Sequence, residues 1–383
     1  MKFKDFTFLF FCSLFTFCVS AQEMRLSDAK ATVETKNLYK NLQVLLKKGV
    51  MFGHHETLSY GVEWKKADGK RSDVFDVVND YPAVFGWDLG KIERNRLLNV
   101  DGVPFIEMRE QIKAVYDMGG INTFSWHMDN PVTLGHHADN TKAVYAILPG
   151  GIKNALFNKW LDNAATYLKS LKGSDGKQIP ILFRPYHEHN GGWFWWGKDS
   201  TSTKEYVDLY RYTVDYLKNK KGVHNLIYVF NTNSFNSASE FTQRYPGDDV
   251  IDIVSFDSYQ FANPINDANI LASKAKYIEL MKYDLTVMDS VAKAHNKIAA
   301  IAETGFEAIP DAKWWTATLW DTMKDYQISY VMVWRNAGWM EKEKKFHYYA
   351  PYPGQISAKD FQDFYQLPNT LFQKDISKYN VYQ

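Results

Sequence analysis

Eight short, almost uninterrupted apolar runs recur along the chain. They are VMFGHHE (50–56), AVFGWDLG (83–90), INTFSWH (121–127), PILFRPYHE (180–188), NLIYVFNTN (225–233), DIVSFDSYQ (252–260), KIAAIAETG (297–305) and ISYVMVWRN (328–336). A strand with one wet face alternates apolar and polar residues. These runs do not alternate, which predicts strands buried on both faces, as in a parallel sheet. Between them the pattern turns helical. Ser202 and Glu205 form a capping box ahead of Val207, Tyr210, Val214 and Leu217, and Met281, Leu285, Met288 and Ala292 repeat at helical spacing. Residues 105–118, 153–171 and 312–326 also read as helices, and another near 34–48 precedes the first strand. Strand and helix alternating eight times predict an α/β fold, a (β/α)8 TIM barrel. An open doubly wound sheet is disfavoured, because no Gly-rich phosphate loop follows the first strand.

The two ends of the charge and polarity scale add limits. Two lysines precede an apolar run from Phe6 to Val19, and Val19-Ser20-Ala21 makes a small-residue cleavage site. Residues 1–21 therefore read as a signal peptide, and 22–383 as a single catalytic domain. The expected location is outside the cytoplasm: periplasm, cell surface or medium. Both cysteines, Cys12 and Cys18, fall in the signal, so the exported chain relies on its core and not on disulfides. A net charge of +1 argues against nucleic acid or a polybasic membrane contact as partner. No second stretch is apolar enough to span a bilayer, and a monomer is expected. Segments 57–72, 128–150 and 338–358 read as insertions that wall a cleft.

In such a barrel the chemistry sits at the C-terminal strand ends. Those ends carry His54-His55-Glu56, Asp88, Trp126-His127, His187-Glu188, Asn231 and Asn233, Asp257 and Tyr259, Glu303, and Trp334-Arg335, in strand order. Glu188 ends the fourth strand and Glu303 the seventh, which face each other across the barrel. Two carboxyls so placed can flank one acetal bond, one protonating the leaving oxygen and the other attacking the anomeric carbon. A separation of ~5–5.5 Å goes with retention of configuration and ~6.5–9.5 Å with inversion. Directly after Glu188 come Trp193, Phe194, Trp195 and Trp196. Aromatic rings stack on the C–H faces of sugars. Four consecutive rings cannot all face inward, so two are expected in the core and Trp193 at the cleft.

The stretch RPYHEHNGGWFWWG (184–197) resembles the acid/base motif of glycoside hydrolase family 26, best known for β-mannanases, and the later strand ends fit in order. This resemblance implies a barrel with acid/base on strand 4 and nucleophile on strand 7, a retaining mechanism and no cofactor or metal. It implies Glu188 as acid/base, Glu303 as nucleophile and Tyr259 as the hydrogen-bond partner of Glu303, with Asp257 two residues earlier. His127, His187, Trp193, Asp257, Tyr259, Trp334 and Arg335 would line the substrate subsites, with His54 a rim histidine. The substrate implied is β-1,4-mannan or galactomannan. Mixed-linkage β-glucan and β-1,3-xylan are the alternatives within the family.

Two rival classes deserve weighing. His54-His55, His136-His137 and His187/His189 suggest a metal-dependent hydrolase, but adjacent histidines on a strand point to opposite faces. A carbohydrate-binding barrel without catalysis would use the aromatic rim, yet has no need of glutamates on opposite strands.

Overall fold

The computed structural model describes residues 24–65 and 70–383. The predicted signal segment, residues 1–21, lies outside the described residues, as do residues 66–69 of the first insertion. The eight apolar runs form β1 (Val50–His55), β2 (Val84–Asp88), β3 (Ile121–Trp126), β4 (Ile181–Pro185), β5 (Leu226–Asn233), β6 (Ile253–Gln260), β7 (Ile298–Phe306) and β8 (Tyr330–Val333). Each pairs in parallel with the next, and β8 returns to β1 from Met51↔Tyr330 to His54↔Val333, closing a (β/α)8 barrel. Parallel neighbours need long crossovers. The helices that supply them cover the outside, so the strands are buried on both faces. On β1, Phe52 points outward into a cage of Phe361, Phe372, Trp315 and Phe364, with ring centroids at 5.1, 5.2, 5.9 and 6.0 Å.

The last insertion is ordered around an antiparallel hairpin, β9 (Gly338–Met340) with β10 (Lys345–His347). Near the chain end, β11 (Thr370–Leu371) pairs with Val50 and Met51 of β1, whereas β2 joins β1 only from Gly53. Barrel strands are staggered, which leaves the start of β1 with a bare edge. The short β11 covers it.

The helices follow the predicted periods with instructive shifts. The capping box at Ser202 and Glu205 opens the helix Thr203–Asp215, whose buried face is Tyr206, Leu209, Tyr210, Thr213 and Val214. Val207 sits at the edge of that face. The helix predicted around 281–292 extends over Asp267–His295, from an Asn266 cap to a left-handed Asn296. Its first turns are solvated, with Leu271 exposed, so apolar spacing marked only the half that packs on the barrel. The 312–326 segment becomes a wide-turned helix, Trp315–Trp320, running into Asp321–Met323. The Asp360 carboxylate accepts from the amides of Trp315 and Thr316 at 2.9 and 3.0 Å. Among the described residues, no helix is long and apolar enough to cross a membrane.

Phe52→Ala would empty the aromatic cage outside β1. A loss of about 3–5 kcal/mol in unfolding free energy is expected, read from the urea midpoint at constant m-value.

Candidate active site

Arg184 lies near the end of β4 and points into the barrel, where it is buried. Its guanidinium donates to Asp257 Oδ2 and Asn231 Oδ1, both at 3.0 Å, and to Glu303 Oε1. Asn231 Nδ2 in turn donates to Asp257 Oδ1 at 2.9 Å. Burial opposes the charge on Arg184, but the Asp257 and Glu303 carboxylates more than offset it and hold the group firmly protonated. Tyr259 donates its hydroxyl to the other oxygen of Glu303 at 2.7 Å. Both oxygens of Glu303 are thus fixed from the interior.

Glu303 reaches this position through an irregularity in β7. Phe256 pairs with Ile301, but Asp257 pairs with Glu303, so Ala302 has no counterpart on β6. Side chains alternate along a strand. Phe256 contacts Phe235 outside the barrel, so Ile301 faces outward, and in a regular strand Glu303 would face outward too. The extra residue turns Glu303 inward beside Asp257.

Glu188 follows β4 in a sharp turn rather than in the strand itself. Tyr186 and Glu188 both have left-handed backbones, φ 55° and 54°. The turn separates the two flanking histidines. His187 packs against His127, whereas His189 is buried between Tyr206 and Phe230 at 4.3 and 4.8 Å. Trp193 Nε1 donates to Glu188 Oε2 at 2.7 Å. The Glu188 carboxyl keeps an opening to the cleft, yet burial, followed by the charge of Glu303, pushes its pKa up to about 7. Carboxylate oxygens of Glu188, Asp257 and Glu303 all lie within 4.8 Å of one another. Of the aromatic run, only Trp193 is exposed, at 40%; Phe194, Trp195 and Trp196 are buried, one more than the sequence predicted.

On the far side, Asp88 of β2 accepts from His127 Nδ1 at 2.6 Å, and His127 Nε2 meets His187 Nε2 at 3.2 Å. Burial disfavours a charged His127, but Asp88 overcomes this and raises its pKa. Burial, Arg184 and His127 together push His187 well below its ordinary value. Trp334 stacks on His55 at 4.1 Å, and Arg335 pairs with Asp101 at 3.2 Å.

The cleft thus gathers Glu188, Trp193, Tyr259, Glu303, His127, Trp334 and Arg335. Three sequence expectations need correction. His54 faces the helix layer, bonded to Thr57 Oγ1 at 2.8 Å; its neighbour His55 takes the inward position. Asp257 is fully buried and engaged by Arg184 and Asn231, so it supports Glu303 from below and does not line the cleft. His187 is buried against His127, Phe194 and Trp196 and acts as backing for the rim. Asp88 and His55 were read as strand-end residues without a role, and Arg184 only as part of a motif. An arginine inside an apolar strand was the available signal, since a buried charge demands partners. Two groups could hold a cation, Glu188/Asp257/Glu303 and His55/Glu56/Asp101. In each an arginine, Arg184 or Arg335, already supplies positive charge.

A barrel carrying two carboxyls across its mouth, one of them protonated up to near neutrality, is the class of site that cleaves glycosidic bonds. The chain belongs to glycosyl hydrolase family 26, whose model matches residues 27–336. It is 42% identical to a family 26 β-mannanase from Bacteroides ovatus of known structure, with a TM-score of 0.85 over 92% of this chain and 98% of that one. The catalytic domain of an endo-β-1,4-mannanase from Bacillus sp. JAMB-750 is 31% identical, with a TM-score of 0.84 over 95% and 97% of the two chains. A mannan endo-1,4-β-mannosidase from Bifidobacterium adolescentis is 32% identical over 364 residues, 90% of this chain but 35% of that protein. The chain spans about a third to little more than half the length of the curated mannosidases it matches.

Glu303→Gln removes the charge that helps keep Glu188 protonated. The Glu188 pKa, about 7 in the native chain, is expected to fall, as read by carbon-13 NMR titration of the glutamate carboxyls.

Proposed function

We propose that this chain hydrolyses β-1,4-mannosidic bonds in mannan or galactomannan with net retention of configuration, acting as an exported monomer. The approach of the Glu188 and Glu303 oxygens to within 4.8 Å carries the retaining part of this reading. It accords with the short carboxyl separation of retaining enzymes, ~5–5.5 Å, rather than the ~6.5–9.5 Å of inverting ones. The names of the relatives support mannan as substrate. Export rests on the signal-like sequence of residues 1–21.

The reaction follows from the two environments. Glu303, oriented by Arg184 and Tyr259, attacks the anomeric carbon, while protonated Glu188 gives its proton to the leaving glycosidic oxygen. The C–O bond to the leaving sugar breaks and a glycosyl ester forms on Glu303. With its proton gone, Glu188 takes one from an incoming water, whose oxygen attacks the anomeric carbon and releases Glu303. The ester discharges the Glu303 charge, so the pKa of Glu188 drops between the steps and suits it to act next as a base. Trp193 holds Glu188 and presents an exposed ring to the sugar on the leaving side. His127, Trp334 and Arg335 hold the sugars on the other side.

Glu188→Ala is expected to lower kcat on linear mannan by roughly 10²–10⁴-fold, and Glu303→Ala by at least as much, with circular dichroism unchanged. Near-normal turnover in either variant rejects the assignment. Proton NMR should show the β-anomer as first product; the α-anomer would rule out double displacement. Barley mixed-linkage glucan and β-1,3-xylan, run in parallel, should be cleaved far more slowly than mannan. An acid of pKa about 7 is protonated below that pH, so kcat/KM should fall as pH rises through about 7.

A further inference from the structure

The loop that follows β6 holds an aromatic ring out into water two residues beyond Tyr259. Phe261 is 75% exposed, and its ring lies 6.0 Å from that of Tyr259, the residue that bonds Glu303. An exposed phenylalanine is ordinarily free to fold back onto the surface. Here the backbone on both sides of it is pinned. Gln260, buried just before it, donates to Ser273 Oγ and accepts from Trp314 Nε1, both at 2.9 Å. After it, Asn269 Nδ2 donates to the Pro264 carbonyl at 2.9 Å, and Asn269 N donates to Asn266 Oδ1 at 2.9 Å. Ile265 and Leu271, close by in sequence, are exposed as well, so the loop and first helical turn carry an apolar margin.

The position around the barrel says which part of a ligand this margin meets. Trp334, Arg335 and His127, at the ends of β8 and β3, line one half of the mouth, backed by buried His55 of β1 and Asp88 of β2. Glu188 with Trp193, and Tyr259 with Phe261, come from β4 and β6 and line the other. The acid must face the group it protonates, so the half holding Glu188 is the leaving-group half. We propose that Phe261 is a sugar-stacking residue for the leaving-side portion of a β-glycan chain, its ring covering the C–H face of a pyranose beyond the cleaved bond. Pinning the loop removes the ordering cost that a mobile ring would add on binding. The proposal rests on the hydrolase reading above and adds a recognition element to it.

The test compares two substrates on the full chain. One is a β-1,4-manno-oligosaccharide, whose leaving group is sugar; the other is an aryl β-mannobioside, whose leaving group is a phenol. Phe261→Ala should raise KM for the oligosaccharide roughly five- to tenfold, with kcat changed far less. The aryl substrate, which places no sugar on that side, should shift by less than about twofold. Phe261→Trp should restore the oligosaccharide KM. Equal losses on both substrates would overturn the proposal, since Phe261 would then act only through Tyr259 and Glu303. An unchanged oligosaccharide KM would overturn it as well. The wild-type rate on mannan checks the underlying reading separately. If the wild type cleaves a different β-glycan, the same pair of substrates built from that glycan tests Phe261 in the same way.

Discussion

A guanidinium with no access to water organises this molecule. Burying Arg184 would be strongly unfavourable alone, and removing a partner from such a group typically costs about 3–5 kcal/mol. Asp257, Asn231 and Glu303 answer it from three strands, β6, β5 and β7. One cation thereby ties four staves of the barrel at the level where the cleft begins. Three carboxyls share a space within 4.8 Å around a single arginine, so they cannot all be ionised. Burial and the Glu303 charge push the pKa of Glu188, the carboxyl most open to the cleft, up to about 7, and burial raises that of Asp257 as well. Arg184 holds Glu303 in place, whereas the proton on Glu188 is kept by burial and by the Glu303 charge, against the pull of Arg184.

The aromatic run after Glu188 divides its work by depth. Trp196 Nε1 donates to the His187 carbonyl at 2.8 Å and Trp195 Nε1 to the Met128 carbonyl at 2.9 Å. Asn140 Nδ2 reaches the Gly192 carbonyl, and Ser200 Oγ the Asn140 carbonyl at 2.8 Å. The 128–150 insertion is therefore bonded along its length to the turn that carries the acid. What reads in sequence as a loop of uncertain use is a brace, and its removal would be felt at Glu188 before it was felt in the core.

The barrel was legible because its strands are apolar on both faces, and eight such runs separated by helical periods leave few arrangements. The same property hid three details. In Ile-Ala-Ala-Ile-Ala-Glu (298–303) every position before Glu303 is apolar, so the bulge at Ala302 breaks no visible alternation. In Phe-Gly-His-His (52–55) the parity of the histidines is equally unmarked, and the reading settled on His54 where His55 faces inward. Asp257 was expected at the substrate because it ends an apolar run, but its depth depends on Arg184, which was read as part of a motif and not as a charge needing neighbours. Trp193 and Tyr259 were easier. Trp193 follows Glu188 by five residues, and Tyr259 was placed by the resemblance of SFDSYQ to the family's pattern. The hairpin of β9 and β10 could not be seen, since its strands are three residues each, too short for any period.

The positive φ of Glu188 has an evolutionary corollary. A left-handed backbone disfavours a glutamate and suits glycine or asparagine, and a half-hidden carboxyl surrounded by negative neighbours adds to the strain. Drift toward those smaller residues would relax the polypeptide at this point while abolishing proton transfer. Descendants that lose hydrolysis and retain sugar binding can therefore arise here by a mutation that makes the scaffold sturdier, and selection for chemistry has to be continuous to keep residue 188 as it is.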